Sequence, residues 1–199
     1  MTERRIPYSL PMARARRAGL KTMTRRVWKM PRGCSWYEGH GGEAAGMVQD
    51  DDGPAWWHVS EQRCPYGQPG DILLPVEPWR APVEWDNTKP ADIPAGTPIW
   101  LDANGPAPAG FGRYRHARFM PAHLITARDE VVSVRVERLQ DISEADAIAE
   151  GCDAKLAEEA PAVDQGMQDY RALWESLHGL GSWDRNEWVW VVEFRVMVP

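Results

Sequence analysis

Glu130-Val131-Val132-Ser133-Val134-Arg135-Val136-Glu137-Arg138-Leu139 decides the fold class. Val132, Val134 and Val136 alternate with Ser133, Arg135 and Glu137, the period-two pattern of a strand buried on one face. Ser143-Glu144-Ala145-Asp146 follows with the form of a capping box. It predicts a helix with Ser143 as N-cap that ends at Glu150-Gly151. Tyr170, Leu173, Trp174 and Leu177 share one face of a further helix. Trp188 to Val198 closes the chain as a strand, with Trp188, Trp190, Val192, Phe194 and Val196 on one face and Glu193 and Arg195 on the other.

Upstream, Ile6 to Ser9 reads as a short strand. Ser9-Leu10-Pro11 opens a helix through Ala18, which Gly19 stops. The apolar run Ile72-Leu73-Leu74-Pro75-Val76 reads as a core strand in which Pro75 marks an edge or a bulge. The order helix, strand, strand, helix, helix, strand is α+β. Few long strands and a helix near the first one suggest a small, partly closed mixed barrel with flanking helices. A length of 199 residues suits a single domain. Pro/Gly-rich and polar stretches at about 29–63, 81–113 and 152–166 read as insertions. The first holds at most a hairpin around Met47 to Val59. The second is long enough for a lid or surface loop and has a short strand at Trp100-Leu101.

A net charge of −6 excludes non-specific nucleic-acid binding by the chain as a whole. From Glu3 to Arg32, however, ten Arg and Lys residues face a single acid, so the N-terminal part can attract a phosphate or a nucleotide. Three well-separated cysteines (Cys34, Cys64, Cys152) argue for a reducing compartment rather than a disulfide framework. No apolar run reaches transmembrane length and no signal-peptide core opens the chain, so a cytoplasmic protein is expected. The five histidines lack metal-ligand spacing, and neither a metal nor a cofactor is expected. Most of the eleven tryptophans read as pins for long loops; Trp28 and Trp79 are the candidates to stack on a planar base.

The chemistry concentrates in Gly19-Leu20-Lys21-Thr22-Met23-Thr24-Arg25-Arg26, just past the first helix. Lys21 three residues before Thr24 provides either a nucleophile with its base or a phosphate clamp. Arg25 and Arg26 either balance the helix dipole or hold a substrate. Glu150 at a helix C-terminus breaks the electrostatic preference for cations there, which singles it out among the acids.

Gly19-x-Lys21-Thr22-x-Thr24-x-Arg26 resembles the signature of ASCH domains, which share the PUA-like barrel fold. Gly70-Asp71 before a strand, Ser143-Glu144 opening a helix, Glu150-Gly151 ending it and Val192-Glu193-Phe194 in the last strand are similar as well. Cys64 to Asp71 and Leu139 to Ala147 resemble turns of longer phage- and prophage-type members, sometimes labelled morphogenetic proteins. The resemblance implies an amidohydrolase acting on N4-acylated cytosines such as N4-acetylcytidine. By motif, Lys21, Thr24 and Glu150 are then catalytic, and Thr22, Arg25, Arg26, Glu77 and Trp79 are candidate substrate contacts. It leaves Lys21 as base or as oxyanion stabiliser. The alternative is a non-catalytic RNA- or nucleotide-binding module, or a phage assembly protein. A small nucleoside or base is the expected partner, RNA the alternative one, and no membrane is expected; the oligomeric state is open.

Overall fold

The computed structural model of the protein describes residues 1–29, 34–37, 47–50, 53–58, 62–152 and 165–197. A mixed five-stranded sheet organises it, in the order β1 (Glu3–Pro7), β6 (Ile72–Val76), β9 (Arg128–Arg138), β10 (Trp188–Met197) and β2 (Met23–Val27). β1 runs parallel to β6, and the other pairs are antiparallel. Helices α1 (Leu10–Arg17), α2 (Glu144–Ala149) and α3 (Gln165–His178) complete the body. The fold is α+β, but the sheet does not close into the expected barrel. β1 and β2 remain its edges, joined at one point where Arg26 Nη2 donates to the Pro7 carbonyl at 2.8 Å.

β10 is buried on both faces. Val189 and Val191 pack with Leu139, Ala147, Tyr170 and Trp174 from the α2–α3 side. Val192 and Phe194 pack with Ile6, Tyr8, Ala13 and Leu73 on the α1 side, while Trp190 meets Trp28 further along that face. In β9 the simple alternation fails at one place. Ser133 opposes Glu193 and Val131 opposes Phe194, so Val132 is the extra residue of a bulge and is exposed. One inserted residue reverses the facing of everything beyond it. Val131 therefore enters the core together with Val134.

Pro75 is neither on an edge strand nor in a bulge. β6 lies between β1 and β9, but its ladder to β9 covers Ile72 and Leu73 alone, so the missing N–H of Pro75 falls beyond that pairing. The stretch 81–113 is not a free lid. Ala81 and Ile93 are buried against Ile72, Leu74, Val76 and Trp79, covering the second face of β6, and β7 (Trp79–Arg80) pairs with β8 (Trp100–Leu101). The first insertion carries the expected hairpin, β4 (Met47–Asp50) paired with β5 (Gly53–His58), and extends it by one strand, β3 (Cys34–Tyr37), into a separate antiparallel sheet. The expected insertion at 152–166 lies almost wholly outside the described residues. Among the described residues no helix is long and apolar enough to cross a membrane.

α1 is fixed to the sheet by a buried, two-pronged ion pair. Arg16 Nε donates to Asp129 Oδ2 at 2.7 Å and Arg16 Nη2 to Oδ1 at 2.5 Å, with the Asp129 side chain fully buried. Removing one member strands the other charge in a dry site. Asp129→Ala is expected to lose about 3–5 kcal/mol of unfolding free energy, read as a lower urea midpoint at unchanged slope.

Candidate active site

The segment after α1 turns sharply. Gly19 adopts φ 74°, open to glycine at little cost, and the Leu20 and Lys21 amides both donate back to the Ala15 carbonyl. Lys21 then forms an isolated antiparallel bridge with Glu150, and the Thr22 amide donates to the Ala149 carbonyl at 2.9 Å. Backbone pairing thus delivers the two side chains to one place from positions 129 residues apart. α2 begins as read, with Ser143 Oγ accepting from the Asp146 amide at 3.1 Å. It ends at Glu150, and Gly151 follows at φ 90°.

Lys21 Nζ donates to Glu150 Oε2 at 2.7 Å, to the Glu150 carbonyl at 2.9 Å and to the Met23 carbonyl at 2.6 Å. Lys21 is 1% exposed and Glu150 3%. Burial pulls the Lys21 ammonium below the ordinary lysine range, while the charge of Glu150 and its hydrogen bond oppose that shift. The cation also lies at the C-terminal end of α2, where the helix dipole favours it. This removes the apparent misfit of Glu150 at a helix end.

Arg25 extends the charge chain. Its Nη2 contacts Glu137 Oε1 at 2.5 Å and Asp146 Oδ2 at 2.6 Å, and its Nη1 lies 3.5 Å from Glu150 Oε1. Arg135 pairs with both Glu137 and Asp146 from outside. Glu150 Oε1 itself is buried and has no hydrogen-bond partner.

Lys21, Thr24, Arg25, Arg26 and Glu150 line one cavity of about 400 Å³. β2 is an edge strand, so Thr24, Arg25 and Arg26, from both of its faces, can line one cavity. Its wall is the apolar face of α3, with Tyr170, Leu173, Trp174, Leu177 and His178, and Tyr8, Tyr114 and His116 close other sides. The Trp174 and His178 rings stack with centroids 4.1 Å apart, and burial holds His178 below the ordinary histidine range. His116 Nδ1 accepts from the Arg118 amide at 3.2 Å.

Other candidates fall elsewhere. Thr22 is outside the cavity lining; its amide and carbonyl stitch α2 to β10 through Ala149 and Phe194. Glu77 is ion-paired with Arg17, and burial raises its carboxyl above the usual range against the pull of that arginine. Trp79 corrects the expectation of a stacking platform. It has no exposed surface, belongs to the core under β6 and does not line the cavity. Trp28 is 6% exposed and packs on Trp190. The aromatic residues that do reach the cavity, Tyr170 and Trp174, have the same helical spacing as any core-facing pair, and Tyr8 has no signal beyond its nearness to the motif. Among the described residues no group of three or more His, Cys, Asp or Glu side chains could hold a metal ion.

No protein-family model matches the chain, and no curated protein or solved structure shows significant similarity to it.

Gly151 is the tightest point of the site. A Cβ there would lie 2.9 Å from Ala15 Cβ and 3.2 Å from Lys21 Cβ, on a backbone already in the left-handed region. Gly151→Ala is expected to destabilise the protein by about 1–3 kcal/mol in urea titration. A midpoint equal to that of the wild type would show that the approach is not tight.

Proposed function

We propose that the protein is an ASCH-type, PUA-like domain and an amidohydrolase that removes the acyl group from N4-acylated cytosine bases or nucleosides. The observation that carries this reading is the shared cavity. Thr24, Lys21 and Glu150 line it together, and a buried oxygen of Glu150 has no hydrogen-bond partner. A carboxylate acceptor of that kind suits an exocyclic N–H and has no use in a phosphate clamp. The clamp reading is further weakened because Lys21 and Arg25 are both neutralised by acids.

The surroundings of Lys21 favour one of its two possible roles. Three acceptors around Nζ match the three N–H donors of an ammonium and leave no direction for a lone pair. The Glu150 carboxylate at 2.7 Å favours the ammonium against the desolvation that opposes it. Lys21 is therefore assigned to the oxyanion side rather than to proton abstraction, as a fixed positive charge beside the cavity that favours the tetrahedral oxyanion through space while its three N–H groups stay on Glu150 and Met23. The Thr24 hydroxyl attacks the acyl carbon and gives its proton to Glu150 Oε1. Glu150 returns that proton to N4 as the C–N bond breaks and the cytosine leaves. Water then cleaves the acyl-threonine, again with Glu150 as proton acceptor, releasing the carboxylic acid and restoring the hydroxyl.

Chromatography of cytidine released from N4-acetylcytidine tests the reading. Thr24→Ala and Glu150→Gln are each expected to lower kcat/KM by about 10²–10⁴-fold while the folded circular-dichroism spectrum is kept. A wild-type protein without turnover, or variants as active as the wild type, would sink it.

A further inference from the structure

Among the described residues, the charges around the cavity balance except at one. Lys21, Arg25 and Arg135 form a continuous network with Glu150, Glu137 and Asp146, three cations against three anions. Arg26 also lines the cavity but forms no ion pair among the described residues. Its Nη2 is occupied by the Pro7 carbonyl, while its Nε is buried with no hydrogen-bond partner. The aromatic group beneath it, Tyr8 at 5.9 Å from the guanidinium carbon, is no counter-ion: burial pushes the Tyr8 phenol far above its ordinary range, so it stays neutral.

A guanidinium that lines a cavity and keeps a desolvated N–H without a partner is suited to an oxyanion, because charge-assisted hydrogen bonds to Arg are both stronger and geometrically selective. Arg26 and Thr24 are two residues apart on β2, with their Cα atoms on the same side of the pleat about 6.6 Å apart. An anionic group carried by the compound that reacts at Thr24 is thus within reach of Arg26.

We propose that the cavity selects acylated cytosines that carry an oxyanion, with Arg26 as its anchor. This rests on the amidohydrolase reading for the cytosine part of the ligand and adds the charge. The oxyanion is either a 5′-phosphate or a carboxylate at the end of the acyl chain, and the two are separable by experiment.

The test is isothermal titration of the Thr24→Ala protein, in which acyl groups survive, with four compounds. These are N4-acetylcytidine, its 5′-monophosphate, N4-succinylcytidine and inorganic phosphate. One of the two anionic nucleosides is expected to bind at least about tenfold tighter than N4-acetylcytidine. Adding Arg26→Gln is expected to erase that preference, and Arg26→Lys to keep part of it. Preference for the monophosphate assigns a nucleotide substrate; preference for the succinyl compound assigns an acidic acyl chain. Equal affinities for all three nucleosides, or a preference that survives Arg26→Gln, overturns the proposal. The hydrolytic reading is decided separately: loss of turnover on N4-acetylcytidine in the wild type would defeat it without altering the anion preference measured here.

Discussion

Two opposite charges with almost no access to water, Lys21 and Glu150, constrain the architecture around them. Taking such a pair out of water costs several kcal/mol per ion, and the cost is offset only when geometry and additional hydrogen bonds are good. Here every N–H of the ammonium has an acceptor, two of them backbone carbonyls. That requirement fixes the turn after α1, the end of α2 and the start of β2 relative to one another. Gly151 follows from it, since a side chain at that position would collide with Ala15 and Lys21.

The pair is sustained by a chain of alternating charges that reaches the surface. Glu150 meets Arg25, Arg25 meets Glu137 and Asp146, and those meet the partly exposed Arg135. The chain crosses the sheet from β2 to β9 and reaches α2, so it ties the cavity to the central strands. A buried network of this kind stabilises little compared with apolar residues of the same volume. Its presence beside a cavity fits a chemical purpose better than a structural one.

Much of the frame was legible in the sequence, and the exceptions have physical causes. Ser143 and Gly19 mark helix ends through local hydrogen bonding and backbone freedom, which short stretches encode completely. β2 was not legible. Met23-Thr24-Arg25-Arg26-Val27 shows no apolar alternation, because a buried Arg25 is tolerated only through acids 112 and 121 residues away. The facing of Val131 and Val132 was misread because the bulge opposite Glu193 depends on the partner strand. An open sheet and a closed barrel have the same strand patterns, so closure was not there to be read. Lys21, Thr24 and Glu150 could be nominated from the motif. The wall formed by Tyr170 and Trp174 could not, since a helix face toward a cavity has the same spacing as one toward a core.

On the proposed hydrolytic reading, the Lys21–Glu150 pair is kept for chemistry rather than for stability. Measuring urea unfolding and N4-acetylcytidine hydrolysis for Lys21→Met, and for Lys21→Met combined with Glu150→Gln, tests it directly. The single variant leaves a buried carboxylate without its closest cation and is expected to lose about 3–5 kcal/mol. The double variant is expected to recover wild-type stability or exceed it while hydrolysis remains absent, with Arg25 still held by Glu137 and Asp146. A double variant as unstable as the single one, or one that still releases cytidine at the wild-type rate, would overturn that reading.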